Sequence, residues 1–350
     1  MLLLTILATT FSGALVDAQD PISCCSGGTQ SNCTGLDQHD CEFHLPQCAW
    51  GPSKKCAHGE TIATNTKTSP TASLPTSLPH EFSNTVKLVN QANAGWLAEV
   101  PAQFSSKQSV QVLCGALLTS DQSTLPLAST PAEQFVTSSL PLDFDSRTTW
   151  PNCTIIAKVG SQAGCGDCWA WSATQTMESF MCIKGLLQTD EELSKEDTAE
   201  CCNGALCGYS KSCTAGTPSA ALLWIANRGV VSGGAYNSSQ GCKPYSLAPC
   251  SVLKNGTLPA CHEPHPPPTL KCETTCSNTQ FKTSYALDKR GAGLGYNPTG
   301  LSYRDDNNTH AMQYLVEHGP ISATFSVMED FPTYRGGIYK HVTGTFLGTT

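Results

Sequence analysis

The chain has 350 residues, of which 39% are hydrophobic and 14% charged, and its net charge is −8. This length allows two or three domains, and the apolar content is sufficient for a core. The acidic balance without a basic patch argues against nucleic-acid binding. Twenty cysteines indicate an oxidising compartment.

The N-terminus predicts entry into the secretory pathway. Residues 2–16 are nearly all apolar or small, and Val16-Asp17-Ala18 resembles a cleavage site, so residues 1–18 are predicted to be a signal peptide. No later run reaches transmembrane length, so no membrane span is expected. Five N-x-[ST] sequons fit a glycosylated protein: Asn32, Asn152, Asn237, Asn255 and Asn307.

Three segments are predicted ahead of the main domain. Residues 19–59 carry six cysteines and indicate a small disulfide-rich module, whose connectivity and role stay open between adhesion, substrate targeting and a passive appendage. Residues 60–82 are rich in Ser, Thr and Pro and predict an extended linker. Residues 83–139, with Trp96 and Leu113-Cys114-Gly115, predict a short folded segment.

The main domain, residues 140–350, is organised around a candidate nucleophile. A glycine-rich turn runs into Cys168, and an apolar pattern at helical spacing continues to Lys184-Gly185, which predicts a helix beginning at Cys168. A helix N-terminus favours a thiolate over a thiol. The side-chain amide of Gln162 and the Cys168 backbone N–H would provide two donors for an oxyanion.

The alternative is that Cys165 and Cys168 are both disulfide cysteines. Thirteen cysteines lie between Cys153 and Cys276, so at least one is unpaired within that stretch, although parity alone does not say which. The motif around Cys168 favours that residue as the free thiol.

Further elements are visible in the sequence. Thr217 and Pro218 predict the start of a helix that stops at Gly229, and a second helix runs from about Thr309 to Gly319-Pro320. The alternation of Ile321-Ser-Ala-Thr-Phe-Ser-Val327 predicts a strand with one buried face. Helices first and strands last indicate an α+β fold with two halves.

The stretch Cys165-Gly166-Asp167-Cys168-Trp169 resembles the C-G-[SA]-C-[WY] signature of the papain-like cysteine peptidases, with Asp167 as a departure. Within that family the chain is most similar to the cathepsin B group. Further matching stretches are Glu200-Cys201-Cys202, Gly229-Val-Val-Ser-Gly-Gly234, Gly241-Cys-Lys-Pro-Tyr-Ser246 and Tyr339-Lys-His-Val-Thr-Gly344.

The resemblance implies a papain-like two-lobed fold, with a helical left lobe, a β-rich right lobe that is incomplete here, and a cleft between them. It also implies that residues 83–139 are a short inhibitory propeptide, removed shortly before Leu140.

The resemblance further assigns residue roles. Cys168 is the implied nucleophile, Gln162 the implied oxyanion donor, and Gly216 and Trp169 the implied substrate-binding residues. The implied disulfides are Cys153–Cys182, Cys165–Cys213, Cys201–Cys272, Cys202–Cys207, Cys242–Cys276 and Cys250–Cys261.

Two departures concern the occluding loop, which in cathepsin B carries a His-His pair that binds the substrate carboxylate. The corresponding loop, 250–261, has no histidine, and Leu258 and Ser161 replace an Arg and an Asp of the family. These changes predict an endopeptidase with little exopeptidase activity. In the competing interpretation, Lys254 still attracts a carboxylate.

The catalytic base is the larger departure. His310 and His318 fall near the family's spacing but lie at the two ends of a predicted helix, and His341 matches a non-catalytic histidine. The family's catalytic His is expected at position 350, which is Thr, and the Asn-Ser-Trp segment would follow it. Two interpretations follow: the sequence is a fragment or a mispredicted gene product of an active peptidase, or the protein ends here and is inactive. The fragment is favoured because an incomplete sheet would expose its edge.

The sequence as a whole predicts a cathepsin B-like cysteine endopeptidase, extracellular or lysosomal/vacuolar, that acts on proteins and peptides and is inhibited by its own propeptide. No cofactor and no metal site are expected, since His262 and His265 fit a solvated loop. The alternative is a non-catalytic secreted scaffold with a degenerate peptidase domain.

Overall fold

The structure is a computed structural model, and it describes residues 10–12, 48–50, 56–58, 81–101, 103–117, 140–250, 258–259, 269–293 and 309–350. The helices are α1 (Ser83–Ala92), α2 (Lys107–Gln111), α3 (Ser146–Thr149), α4 (Cys168–Ile183), α5 (Lys195–Cys201), α6 (Pro218–Arg228) and α7 (Thr309–His318). The strands are β1 (Thr10–Ser12), β2 (Cys48–Trp50), β3 (Cys56–His58), β4 (Trp96–Ala98), β5 (Asp143–Asp145), β6 (Ser326–Met328), β7 (Tyr334–Gly337) and β8 (Phe346–Thr349).

This mixture of helices and short antiparallel strand pairs confirms the predicted α+β class. Apart from β2 and β3, the predicted Cys-rich module lies outside the described residues, as does the linker before residue 81. His262, His265, Lys254 and Cys261 also lie outside them. None of the helices in the described ranges is long and apolar enough to cross a membrane.

The first of two compact units comprises Met1–Gly13, Pro101–Glu329 and Thr345–Thr350. Its core is built on α4, because the apolar residues of this helix recur at helical spacing. Trp169, Ala173 and Met177 of α4 are fully buried, and they share one cluster with residues of α6 such as Ala221 and Ile225.

The helix boundaries in this unit follow local sequence signals. α4 begins at Cys168 and ends before Gly185, which has a φ of 70°, and α6 begins with Pro218 and is followed by Gly229, as predicted. The predicted side-chain cap is wrong, however. The Thr217 hydroxyl makes no capping bond to α6 and has no hydrogen-bond partner within the described ranges.

The predicted strand over Ile321–Val327 is only partly formed. β6 covers Ser326–Met328 and pairs antiparallel with β8, and the ladder is preceded by mutual backbone bonds between Phe325 and Thr350. Ile321 and Ala323 lie ahead of this ladder and are not strand residues.

The second compact unit comprises Ala14–Val100 and Asp330–Gly344. In it β4 pairs antiparallel with β7, and Trp96 of β4 packs against Val89 of α1. The Trp96 indole N–H donates to the Lys340 carbonyl at 2.8 Å. The 83–100 segment is thus held to 330–344 by backbone pairing and an aromatic cluster.

Five disulfides join described cysteines of the first unit, and they are the pairs that the resemblance implies. They are Cys153–Cys182, Cys165–Cys213, Cys201–Cys272, Cys202–Cys207 and Cys242–Cys276. Cys250 is disulfide-bonded as well, while Cys261 lies outside the described residues. Among the described cysteines, Cys114 and Cys168 are free.

Candidate active site

The candidate nucleophile is held by a short, cross-linked turn. Cys165 is tied to Cys213 by a disulfide, and the Gly166 N–H donates to the Cys213 carbonyl at 2.9 Å. Two residues later Cys168 opens α4, so its thiol lies at the N-terminus of a buried helix. The turn fixes where the sulfur points.

Residues 113–117 lie across this turn; we call them the covering segment. The Gly216 N–H donates to the Gly115 carbonyl at 2.8 Å, and the Leu117 N–H donates to the Gly216 carbonyl at 2.8 Å. On the other side, the Ala116 N–H donates to the Thr349 carbonyl at 3.1 Å. Gly216, predicted to bind substrate backbone, therefore binds the backbone of the protein's own chain here.

Gln162 contacts the same segment. Its side chain is fully buried, and its Nε2 donates to the carbonyls of Leu113 at 3.1 Å and Cys165 at 2.6 Å. The amide predicted to bind an oxyanion thus already holds a backbone carbonyl of the covering segment. The covering segment also approaches the turn closely, since a Cβ on Gly115 would overlap the Gly166 backbone.

Burial works against the predicted thiolate of Cys168 in this covered arrangement. The side chain is 4% exposed, and burial raises the pKa of Cys168, with the charge of Asp167 adding to the rise. Hydrogen bonds from the Thr350 hydroxyl and the Gly115 N–H act in the opposite direction without overcoming burial. The helix N-terminus favours the thiolate, but desolvation dominates.

Trp169, predicted to bind substrate, lies under Gly216 and is not exposed. Its ring is fully buried and its Nε1 donates to the Ser212 carbonyl at 3.1 Å. A Cβ on Gly216 would overlap this ring. The indole therefore supports the backbone of Gly216, and it has no exposed surface with which to contact a substrate directly.

Sequence reasoning identified Asp167 only as a departure and missed its surroundings. The side chain is fully buried and accepts a hydrogen bond from the Tyr245 hydroxyl at 3.0 Å. Its second oxygen, Oδ1, has no partner among the described residues. Tyr245 is far away in sequence, so no local spacing could have indicated this contact.

His341 and His318 each have a carboxylate partner. His341 Nδ1 lies 3.1 Å from the Asp330 carboxylate, which also accepts from the Tyr339 hydroxyl and the Val342 N–H. Burial raises the pKa of Asp330, but these hydrogen bonds outweigh it and hold the pKa below its usual value. His318 lies at the end of α7 beside Glu317.

One group has the composition of a metal site. Asp197, Glu200 and Cys201 place their ligand atoms within 4.8 Å of one another. Cys201 is consumed by its disulfide, and the carboxylates are ion-paired with Lys243, while Lys289 also pairs with Asp197. These residues form a buried charge network without a free ligand set.

A thiol at a helix N-terminus, with a buried glutamine amide and a glycine that binds backbone nearby, is typical of the thiol peptidases. A sequence model of the papain family cysteine proteases matches residues 140–348. The chain belongs to this family. The match begins at residue 140, where the sequence predicts the main domain.

Individual relatives are similar over most of the chain. Cathepsin B-like cysteine proteinase 4 of Caenorhabditis elegans is 33% identical over 261 residues, which cover 74% of each protein. A cathepsin B-like cysteine proteinase of Schistosoma japonicum is 33% identical over 265 residues, covering 75% of this chain and 74% of the relative.

A solved structure supports the same fold. Procathepsin B S9 from Trypanosoma congolense aligns with a TM-score of 0.55 at 26% identity, over 77% of this chain and 80% of that one. The protein is accordingly a cysteine-type peptidase with a papain-like fold.

Proposed function

We propose that this chain is the precursor of a cathepsin B-like endopeptidase, with Cys168 as nucleophile and residues 83–139 as an inhibitory propeptide. The observation that carries the proposal is the covering segment, which bonds to Gln162 and Gly216 and lies over Cys168. The similarity to a procathepsin supports a precursor. The scaffold alternative is not favoured, since the relatives are named as proteinases.

In the proposed reaction, the Cys168 sulfur attacks the scissile carbonyl carbon and displaces the amine, which leaves an acyl-enzyme for water to hydrolyse. Gln162 Nε2 donates to the oxyanion that develops on the carbonyl oxygen. The N–H and C=O of Gly216 align the substrate backbone. Removal of the thiol proton needs a base, and a neutral hydroxyl such as Thr350 is too weak to serve.

The covering segment has to leave before a substrate can bind, because it uses the same donors. A Gly115→Ala change tests this, since the methyl group would overlap the Gly166 backbone and displace the segment. We expect faster alkylation of Cys168 by iodoacetamide in the full chain, measured by peptide mass spectrometry. Gly164→Ala is the matched control, because nothing lies within 4 Å of its Cβ position.

An unchanged alkylation rate in Gly115→Ala would contradict the covering role. Cys168 that stays unreactive in both variants would contradict its assignment as nucleophile.

Endopeptidase specificity is proposed from the loop at 250–261. Leu258 is 42% exposed there, and the Ser161 hydroxyl accepts the Ala163 N–H at 3.2 Å, so neither residue contributes a charge for a substrate carboxylate. The test of endopeptidase specificity compares how fast the activated enzyme hydrolyses two matched peptides, one with a free and one with an amidated C-terminus. We expect similar rates, and a strong preference for the free acid would refute the proposal.

We place the protein in the secretory pathway, extracellular or lysosomal/vacuolar, with proteins and peptides as substrates. Disulfides in a chain of this kind form in oxidising compartments. The sequons at Asn152 and Asn237 lie at exposed positions, as glycosylation requires. Loss of both glycans after glycosidase treatment of the secreted protein would be visible as a mass shift.

A further inference from the structure

The chain from α2 to the covering segment runs along one strand of the main domain. α2 packs against β8, and Val110 of this helix is buried. Further along, the Ala116 N–H of the covering segment donates at 3.1 Å to the carbonyl of Thr349, the last residue of β8. α2 and the covering segment are therefore attached to the same strand.

Cys114 connects these two parts. Its Sγ donates to the Val110 carbonyl of α2 at 3.4 Å. It also lies against Gly348 of β8, where a Cβ would overlap the Cys114 Cβ and lie 3.2 Å from its Sγ. This contact with the strand is uncharged and depends on the absence of a side chain at position 348. Because α2 and the covering segment contact each other as well as β8, we expect them to leave the strand together.

An ion pair fixes α2 to the strand pair that β8 forms with β6. Lys107 Nζ, at the start of α2, lies 3.0 Å from Oε2 of Glu329, the residue that follows β6. Glu329 is itself held in place, since its N–H donates to the Thr345 carbonyl at 2.9 Å and its Oε1 accepts from the Thr345 hydroxyl at 2.6 Å. The carboxylate therefore has a fixed position on the β6–β8 pair, with one oxygen on Lys107.

Glu329 is ionised near neutral pH. The hydrogen bond from Thr345, together with the hydrogen bond and charge of Lys107, holds the pKa of Glu329 below the usual glutamate value against the opposing effect of burial. The side chains of Lys107 and Glu329 are 33% and 17% exposed, so solvent screens the pair and its contribution is modest. An interaction of this size changes how often α2 leaves the strand without deciding whether the domain folds.

We propose that the Lys107–Glu329 ion pair is a latch: it keeps α2 on β8 and thereby keeps the covering segment closed over Cys168. This inference rests on the proposed function, in which Cys168 is the nucleophile and the covering segment blocks it. The bonds of the covering segment to Gln162 and Gly216 close the site, and the latch sets how often the closed segment opens.

The test measures alkylation of Cys168 by iodoacetamide, a neutral reagent, in the full chain near neutral pH. All proteins carry Cys114→Ser, so that alkylation of Cys114 cannot itself displace the segment. Lys107→Met keeps most of the side chain and removes its charge, and Glu329→Gln keeps an acceptor for the Thr345 hydroxyl. We expect each change to raise the alkylation rate about two- to fivefold, the shift in opening that a partly exposed ion pair gives.

Two comparisons show whether the two charges act as a pair. The double variant Lys107→Met/Glu329→Gln should react no faster than either single variant, whereas independent effects would multiply and would overturn the latch. Added salt should raise the rate in the Cys114→Ser protein, since ions screen the pair, and should change it less in Lys107→Met. Lys87→Met, at an exposed side chain of α1, is the matched control and should leave the rate unchanged.

The outcomes separate the latch from the proposed function. The salt dependence keeps the latch testable even if a variant fails to fold, because a rate that does not change with salt in the Cys114→Ser protein overturns it. Unchanged rates in Lys107→Met and Glu329→Gln also overturn the latch, and they leave the covering role standing if Gly115→Ala still reacts faster. Cys168 that is unreactive in every variant, Gly115→Ala included, overturns the nucleophile assignment and the latch together.

Discussion

At the scale of single residues, Gly216 has two roles: its backbone forms hydrogen bonds, and its lack of a side chain leaves room for the core. Its N–H and C=O bind the covering segment, and the buried ring of Trp169 lies directly beneath it. A side chain would have to displace an indole that is itself fixed by its bond to the Ser212 carbonyl. Only glycine satisfies both demands.

We therefore expect Gly216→Ala to lower the free energy of unfolding by about 1–3 kcal/mol, the usual cost of overpacking a core. Urea denaturation measures the loss. Gly164→Ala, where a Cβ meets nothing within 4 Å, should stay within about 0.5 kcal/mol of wild type. Equal stability of the two variants would show that the Trp169 ring can move aside.

The residues that the sequence identifies are those with a local signal. Cys168 follows from a glycine-rich turn entering a helix, and Gln162 lies six residues before it. The bond from Gln162 to Leu113 and the bond from Tyr245 to Asp167 join residues 49 and 78 positions apart. Contacts of that range depend on packing, and no spacing in the sequence encodes them.

At the scale of elements, α4 and α5 are joined by a buried ion pair. Lys195 Nζ contacts both oxygens of Glu178 at 2.9 Å, and their side chains are 3% and 1% exposed. Glu178 also accepts the Leu193 N–H at 2.9 Å. Removing one partner of such a pair leaves an uncompensated buried charge.

Lys195→Met is expected to cost about 3–5 kcal/mol of unfolding free energy near neutral pH. Burial raises the pKa of Glu178, and the Lys195 charge opposes that rise. Without Lys195 the folded state binds a proton more readily than the unfolded state, so the loss should shrink as the pH falls toward the usual glutamate pKa. Chemical denaturation at several pH values measures both effects.

Lys158→Met is the matched control for this change, because Lys158 pairs with Glu192 at 3.0 Å but is 37% exposed. A partly solvated pair contributes about 0–1 kcal/mol. If the two variants lost the same amount, burial of the Lys195–Glu178 pair would not be the cause.

Element boundaries also differ in how far the sequence predicts them. α4 and α6 begin and end at the predicted residues, because Pro218 at the start of α6 and the glycines after both helices act within a few positions of each end. β6 starts five residues later than predicted, since a strand needs a partner and the ladder with β8 begins only near Phe325.

At the scale of the whole molecule, a buried charge network makes folding sensitive to pH. Asp197 and Glu200 of α5 pair with Lys243, and Asp197 also pairs with Lys289 at 2.8 Å. These partners come from distant parts of the chain, and the Cys201–Cys272 disulfide joins α5 to the segment beside them. The network therefore links regions that local structure alone would leave separate.

Within it, burial raises the pKa of Glu200 to about 7, and the charges of Glu196 and Asp197 add to this against the opposing effect of Lys243. The folded state then binds a proton that the unfolded state has released. Stability from this group is present below the usual glutamate pKa and is lost as the pH rises through about 7. We expect the free energy of unfolding to fall between about pH 5 and about pH 8.

Glu200→Gln should make that fall less steep, because the amide has no proton to lose, whereas Glu99→Gln at an exposed side chain should keep the wild-type slope. Chemical denaturation at several pH values measures how the free energy of unfolding changes with pH in wild type and in the two variants. If the free energy of unfolding changed with pH equally in Glu200→Gln and in wild type, Lys243 would keep Glu200 ionised in the folded protein. Any greater stability in acid would then arise from other groups. A smaller decrease in unfolding free energy with pH in Glu200→Gln would tie the stability of the protein in acid to a single carboxyl group of α5.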